Sequence, residues 1–184
     1  MLKPWKKIST EIVHENKFVT FRHDEFDLPN GVNADYYYFD ISDAVTIIAV
    51  DEFGKLLIVN QYRPLFEQIV SEFPAGGIKN GQTPEEAADL ELREEANVRA
   101  ENYEYMGKFQ SSNARTNEWM HVFVAHELSE SSAPKDETEE FEHERWSVED
   151  LESKIADGEF VDGICLAAWT LAKPKILALI DSQS

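Results

Sequence analysis

Two almost continuously apolar stretches near the middle of the chain indicate buried strands. They cover residues 44–50 and 55–63 and are separated by the turn at 51–54, which ends in glycine. A strand with one face in water alternates apolar and polar residues, whereas a strand covered on both faces is apolar nearly throughout. The pattern therefore predicts two neighbouring strands that are covered on both faces.

Further strands are predicted on either side of this pair. Residues 1–40 indicate an N-terminal β arm, because strand-forming residues at 18–21 and 34–40 flank a strong turn signal at 27–31. Towards the C-terminus, strands are predicted at 103–110, 119–128 and 141–146.

Helices are predicted where capping signals precede helix-forming residues. Thr83 is a good N-cap, Pro84 suits the first helical position, and Glu86 completes a capping box. A second capping box begins at Ser147, and a last helix is predicted over 164–172. Leu166, Trp169 and Leu171 are predicted to pack this last helix on the sheet, and Pro174 to interrupt or kink it.

The helix after Thr83 carries the candidate chemistry. Glu91, Glu94 and Glu95 stand at i, i+3 and i+4, so their carboxylates share one helical face. Their mutual repulsion disappears when hard divalent cations lie among them. A solvated acidic face is the alternative interpretation. The apolar, glycine-rich stretch 72–78 just before the helix favours a ligand site, because glycine lets the backbone approach a ligand closely.

Composition limits the classes of binding partner and indicates the cellular compartment. The 184 residues suit one domain, and the net charge of −19 disfavours binding to nucleic acid or to anionic membranes. The single cysteine, Cys165, excludes an internal disulfide and fits a reducing, cytoplasmic location. Residues 1–10 have no signal-peptide pattern, and we expect no membrane span.

The helix and the stretch before it resemble the signature of the Nudix hydrolases, G-x5-E-x7-R-E-U-x-E-E-x-G-U, in which U is aliphatic. In this chain the signature falls on Gly76, Gln82, Leu90, Glu91, Leu92, Glu94, Glu95, Asn97 and Val98. The chain departs from the signature at three positions. It has Gln82 where the family has Glu, Leu90 where the family has Arg, and Asn97 where the family has Gly. Asn97 is a mild change, since Asn is the usual second choice in the left-handed position after a helix. We hypothesise that the Glu and the Arg were lost together, leaving no orphan charge; non-additive effects of Gln82→Glu and Leu90→Arg would support this.

The resemblance implies a fold and an assembly. The fold is α/β of the Nudix type, a mixed sheet sandwiched between helices with an N-terminal antiparallel β arm. It forms a single domain over residues 1–184, with the arm at 1–40 and the catalytic core at 41–184. The arm is similar to that of ADP-ribose pyrophosphatase-type members, in which it builds a homodimer.

The resemblance also implies a metal site and a catalytic base. The metal ligands are Ala75 through its carbonyl, Glu91, Glu94, Glu95 and Glu139, and the ion is Mg²⁺, with Mn²⁺ also possible. The resemblance also assigns a catalytic role to Glu94, and it makes Glu137 the candidate for the general base. Both Glu137 and Glu139 come from the acidic stretch 129–140, for which a solvated loop is the alternative.

Three further residues are candidate substrate contacts. Arg63 follows the Gln61-Tyr62-Arg63 pattern of the ADP-ribose type, although a surface arginine paired with a carboxylate is the alternative. Glu118 matches an acid of the family, and Trp5 is either a ligand contact or a packing contact. The implied reaction is Mg²⁺-dependent hydrolysis of ADP-ribose or a related nucleoside diphosphate sugar to a nucleoside monophosphate and a sugar phosphate. Hydrolysis of another dinucleotide or a coenzyme A-type pyrophosphate, or nucleotide sensing with weak activity, stays open because of the altered signature.

Overall fold

The computed structural model describes residues 2–134 and 139–183, and the chain forms two compact units. The first unit contains residues 1–42 and 110–119, and the second contains residues 43–109 and 120–184.

The first unit is an antiparallel sheet in the order β1-β2-β3, with strands β1 (Lys6–Glu15), β2 (Thr20–Asp27) and β3 (Asn33–Asp40). It confirms the predicted N-terminal β arm and adds β1, which the sequence pattern did not indicate. The segment 110–119 belongs to this unit because its backbone and side chains form hydrogen bonds with β3 and with the residue after it. The hydroxyl of Tyr36 donates to the carbonyl of Ala114 at 3.1 Å, and the amide of Ile41 donates to Oδ1 of Asn117 at 3.0 Å.

The second unit contains two sheets and three helices. Its elements are β4 (Ala44–Ala49), β5 (Leu56–Arg63), β6 (Gln68–Glu72), β7 (Ala75–Gly77), α1 (Pro84–Glu95), β8 (Val98–Gln110), β9 (Trp119–Glu130), β10 (Glu142–Trp146), α2 (Val148–Ala156) and α3 (Gly163–Gln183). One sheet has the order β7-β4-β9-β8, with β4 parallel to β9 and antiparallel to β7. The other has the order β10-β5-β6. The predicted mixed sheet is therefore confirmed.

Two apolar clusters cover the two faces of these sheets. Val45 and Ile47 pack with Leu92 of α1 in one cluster, whereas Ile48 packs with Trp169 of α3 in the other. Neighbouring residues of β4 thus point to opposite sides, as pleating requires. The arrangement confirms strands that are covered on both faces and lie between helices.

Helix α3 differs from its prediction in two ways. It runs unbroken through Pro174, because the buried residues Ala172 and Ile176 hold it against the core on both sides of the proline. Leu171, predicted to pack on the sheet, is 41% exposed, and Ala168 takes the buried position instead. Residues 163–182 have the length and mean hydropathy, 1.5, that a membrane-spanning helix also has. The buried residues of this stretch, 28% of it, belong to the core.

Candidate active site

Helix α1 begins as its sequence predicts and presents its carboxylates from a fixed frame. The amide of Glu86 donates to Thr83 Oγ1 at 3.2 Å, and the amide of Thr83 donates to Glu86 Oε2 at 2.8 Å, which completes the capping box. At the other end, Asn97 has a φ of 54°, so the residue that departs from the Nudix glycine does adopt the left-handed conformation. Both ends of the helix are therefore defined by local sequence.

Glu91 lies directly against the backbone of β7. A Cβ atom at Gly76 would stand 2.2 Å from the carboxylate carbon of Glu91 and 2.4 Å from each of its oxygens. No side chain fits in that space, so the glycine is required for the carboxylate to occupy this position. The signature residue Gly76 thus makes room for the carboxylate of Glu91.

Glu95 is the second buried carboxylate of the site, with 9% of its surface exposed. Its Oε2 atom accepts a hydrogen bond from the amide of Ala75 at 3.0 Å. The Ala75 residue that sequence reasoning assigned to the metal through its carbonyl therefore also holds Glu95 through its N–H group. Strand β7 and helix α1 are joined at this point by both Gly76 and Ala75.

Two buried carboxylates of α1, those of Glu91 and Glu95, have strongly raised pKa values. Burial, and then the charges of Glu94 and Glu139, raise the pKa of Glu91 to about 7, although Lys79 opposes this. Burial, Glu91, Glu139 and Glu72 raise the pKa of Glu95 to about 9, against the lowering effect of the Ala75 amide. The charge of Glu139 therefore acts on both carboxylates, and its role as a metal ligand stays a prediction.

This donor set fits a hard divalent cation. Carboxylate oxygens are the ligands that Mg²⁺ and Mn²⁺ prefer, and the buried cluster of like charges is destabilised unless protons or cations neutralise it. Within residues 2–134 and 139–183, no three His, Cys, Asp or Glu side chains already converge closely enough to hold a metal ion. One oxygen of Glu95 accepts the hydrogen bond of the Ala75 amide. Glu94 is partly exposed, and the candidate base Glu137 lies outside the described residues.

Arg63 at the end of β5 is held by Glu72 at the end of β6. Its Nε atom donates to Glu72 Oε1 at 2.7 Å, and its Nη2 atom donates to Oε2. This salt bridge raises the pKa of Arg63, with smaller contributions from the charges of Glu95 and Asp162. The structure therefore shows the arginine–carboxylate pair that was the alternative interpretation, and it also brings Arg63 into electrostatic reach of Glu95.

The other two candidate substrate contacts belong to the first unit. Glu118 accepts a hydrogen bond from the hydroxyl of Ser111. The ring of Trp5 packs edge-on against Phe26, 5.9 Å between centroids, and is 48% exposed. These contacts are consistent with packing, and the predicted contacts of Glu118 and Trp5 with substrate stay predictions.

Sequence reasoning missed two residues that support the site. Glu72 orients Arg63 within the β5–β6 hairpin. Strand pairing alone would not have revealed this contact, because the register places Glu72 opposite Val59 and Arg63 opposite Gln68. His143 of β10 reaches the carbonyl of Glu95, with 2.6 Å from Nε2 to oxygen. No motif in the sequence points to His143, because the contact joins residues far apart in the chain.

A cleft of about 1170 Å³ in the second unit lies along a different side of α1. Its lining includes Leu90 and Arg93 of α1, but none of the three glutamates at 91, 94 and 95. Leu90, which stands where the signature has Arg, therefore places an apolar side chain in this cleft. Gln82, which stands where the signature has Glu, lies in the turn before α1, and its Oε1 atom accepts a hydrogen bond from the amide of Lys79 at 3.1 Å.

Comparisons with protein families agree with this architecture. The family described as NUDIX domain matches residues 40–165, and the family described as nucleoside diphosphate sugar hydrolase N-terminal domain matches residues 5–39. The boundary between the two matches falls at the end of β3.

Individual proteins extend the similarity to most of the chain. The methanol dehydrogenase activator of Bacillus methanolicus is 34% identical over 136 residues, which are 73% of this chain and 74% of that protein. The ADP-ribose pyrophosphatase of Bacillus subtilis is 31% identical over 159 residues, 85% of this chain and 86% of that protein. The crystal structure of an ADP compounds hydrolase has the same fold, with a TM-score of 0.86 over 97% of both chains at 22% identity.

Proposed function

The chain belongs to the Nudix family of hydrolases, as its sequence predicts, and we propose that it hydrolyses the pyrophosphate bond of ADP-ribose or a related nucleoside diphosphate sugar. The products are a nucleoside monophosphate and a sugar phosphate. The N-terminal family match and the name of the Bacillus subtilis relative support this substrate class.

One observation carries the proposal. The carboxylates of Glu91 and Glu95 are buried side by side against the Ala75–Gly77 strand, where a cation would neutralise them. A protein without such a ligand would gain stability by replacing them, because buried like charges are unfavourable. Retaining them is understandable if they bind a metal and the metal binds a diphosphate.

Four glutamates and one backbone carbonyl are the proposed metal ligands. Glu91, Glu94, Glu95, Glu139 and the carbonyl of Ala75 would hold Mg²⁺ or Mn²⁺. When bound, the ion supplies charge neutralisation for the diphosphate and a lowered pKa for the attacking water. Glu94 and Glu91 would act as carboxylate ligands throughout, so that their removal abolishes turnover.

Three further residues complete the proposed mechanism. Glu137 would take the proton of the water, a role assigned by the family resemblance alone. Arg63 would bind a phosphate oxygen, and its salt bridge to Glu72 fixes the guanidinium plane before substrate arrives. Glu118 and Trp5 would contact the substrate, also by resemblance.

The assembly and the location complete the proposal. We expect a homodimer formed through the N-terminal arm, because Ile8, Ile12 and Phe18 of this arm are exposed apolar side chains. We also expect a cytoplasmic protein, on account of its single cysteine, and no nucleic-acid or membrane partners, on account of its net charge of −19.

Nucleotide sensing with weak turnover is a second candidate. It is favoured by Leu90, which stands where the Nudix signature has an arginine that orients the metal-binding carboxylates. On this alternative the protein binds ADP-ribose without hydrolysing it. Another dinucleotide or a coenzyme A-type pyrophosphate as substrate would appear as turnover in the same experiment.

The test is a substrate panel with Mg²⁺, in which phosphate is measured after a coupled phosphatase. The panel contains ADP-ribose, ADP-glucose, UDP-glucose, GDP-mannose, NADH and a coenzyme A ester. Turnover of a diphosphate sugar that Glu94→Gln abolishes supports the proposed enzyme. If nothing is hydrolysed while ADP-ribose raises the melting temperature, the protein is a sensor.

A further inference from the structure

Strand β10 brings His143 to the C-terminal end of α1. In its antiparallel pairing with β5, His143 stands opposite Val59 and Glu144 stands opposite Ile58. Val59 belongs to the cluster that packs on α1, and Ile58 belongs to the cluster on the other face. Residues directly opposite in an antiparallel pair point to the same face, so His143 faces α1.

His143 satisfies a backbone group that the helix cannot satisfy itself. The carbonyl of Glu95 lies in the last turn of α1, where carbonyls have no partner within the helix. Nε2 of His143 lies 2.6 Å from this oxygen. Because a carbonyl only accepts, Nε2 carries the proton and donates it.

The same helix end holds the start of the segment that leads to β10. The amide of Ser131 donates to the carbonyl of Asn97 at 3.0 Å, and the amide of Ala133 donates to that of Arg93 at 3.2 Å. On the opposite face of β10, the carboxylate of Glu144 accepts hydrogen bonds from other side chains of the sheet. These donors are Nδ2 of Asn60 and Nε1 of Trp146, both at 2.6 Å. Hydrogen bonds of the segment before β10 and of Glu144 therefore anchor the strand that carries His143, which is itself an exposed residue.

We propose that His143 is a positioning residue of the cation site: through the main chain of Glu95, it sets the placement of that carboxylate relative to Glu139. Glu139 precedes β10 and Glu95 ends α1, so the hydrogen bond joins the two elements that supply these ligands. The inference rests on the proposed metal-binding role of this site. It goes further by assigning a role to a side chain that does not touch the metal.

The experiment measures Mn²⁺ binding to the substrate-free protein, from the electron paramagnetic resonance signal of free Mn²⁺. His143→Leu removes the donor, and we expect its Kd for Mn²⁺ to rise about tenfold, as for other partners of metal ligands. His143→Gln places an amide N–H at a similar reach and should recover most of the affinity. His126→Leu removes a histidine of β9 that pairs with Glu104 of β8, and it should leave the affinity unchanged.

A second donor-free variant keeps the test possible if the first does not fold. If His143→Leu does not fold, His143→Asn takes its place, since its amide is too short to reach the Glu95 carbonyl and should weaken binding likewise. Binding equal to wild type in the folded donor-free variant overturns the inference. So does a wild-type protein that binds no Mn²⁺.

The inference and the proposed function fail separately. If the variants follow the expected order of Mn²⁺ affinity but wild type hydrolyses no substrate, the positioning role stands and the enzyme assignment falls. If wild type hydrolyses a diphosphate sugar and His143→Leu binds Mn²⁺ normally, the enzyme assignment stands. In that case His143 has only a structural role.

Discussion

At the scale of single residues, the contact between Gly76 and Glu91 links the backbone of β7 to the proposed chemistry. A methyl group at Gly76 would stand 2.2 Å from the carboxylate carbon of Glu91. The end of a glutamate side chain moves easily, so the protein can accommodate the change only by displacing that carboxylate. Catalysis depends on such placement far more than stability does.

We therefore expect Gly76→Ala to separate activity from stability. Turnover with Mg²⁺ should fall about 100-fold, because a ligand displaced by about 1 Å has this effect on rate. The free energy of unfolding in urea should fall by no more than about 1 kcal/mol. Gly77→Ala is the matched control, since its Cβ would meet no atom within 4 Å. Wild-type turnover in Gly76→Ala would show that Glu91 does not need this position.

Glu95 should make the metal-free protein less stable as pH rises. Its pKa, about 9 in the folded protein against 4.5 for an unperturbed Glu, means that the folded state retains a proton that the unfolded state has lost. The stabilisation is complete below pH 4.5 and is lost as pH rises through 9. The slope is at most about 1.4 kcal/mol per pH unit.

Urea unfolding with a chelator between pH 6 and 9 measures this effect. Glu95→Gln, which is neutral at every pH, should flatten the profile above about pH 7, whereas below it Glu91 also retains a proton in the folded state. Mg²⁺ should flatten the whole profile of wild type. Glu152→Gln should keep the wild-type slope, because hydrogen bonds from Lys173 and Trp169 lower the pKa of Glu152 out of this range. A flat profile in metal-free wild type would contradict the buried position of Glu95.

At the scale of elements, α3 shows packing overriding a local signal. Pro174 lacks the N–H group that a helix interior needs, and its ring crowds the carbonyl four residues earlier. The helix nevertheless continues, because Ala172 and Ile176 are completely buried on either side. Core packing thus offsets the cost of the proline.

Replacing that proline should stabilise the protein. Pro174 is exposed, so Pro174→Ala loses little packing, and the free energy of unfolding should rise by about 1–3 kcal/mol. Chemical denaturation followed by circular dichroism measures the change. Leu177→Ala, at another exposed position of α3, should change stability by less than about 0.5 kcal/mol. A destabilised Pro174→Ala would mean that the proline relieves strain in the helix.

At the scale of the whole molecule, the N-terminal arm leaves apolar side chains in water. All ten residues of β1 are exposed, including Ile8 and Ile12 with 48% and 49% of their surfaces accessible. Exposed apolar groups on one strand are typical of a surface that meets another chain. The proposed homodimer would bury them.

Sedimentation equilibrium should therefore give twice the 21.1 kDa mass of one chain. Ile12→Asp introduces a charge into the proposed interface and should shift the protein towards the monomer. Phe53→Asp is the control, because Phe53 is an exposed apolar residue of the second unit at the β4–β5 turn and should leave the mass unchanged. A monomeric wild type would exclude the arm as a dimer interface under those conditions.

The features that follow from the sequence alone are those encoded by neighbouring residues. The capping box at Thr83, the spacing of Glu91, Glu94 and Glu95, and the left-handed Asn97 depend on contacts within about one helical turn. The doubly covered strands β4 and β5 follow from apolar runs in the same way. Together with the signature, these local patterns sufficed to predict the family and the fold.

Tertiary structure determines which of these local features meet. The approach of Gly76 to Glu91 and the salt bridge between Arg63 and Glu72 join different elements, as does the effect of the Glu139 charge on Glu91. The same holds for His143 at Glu95, for segment 110–119 in the first unit, and for the continuity of α3. Such contacts depend on strand register and side-chain packing across the whole core, and these arise from many weak interactions between residues far apart in the chain.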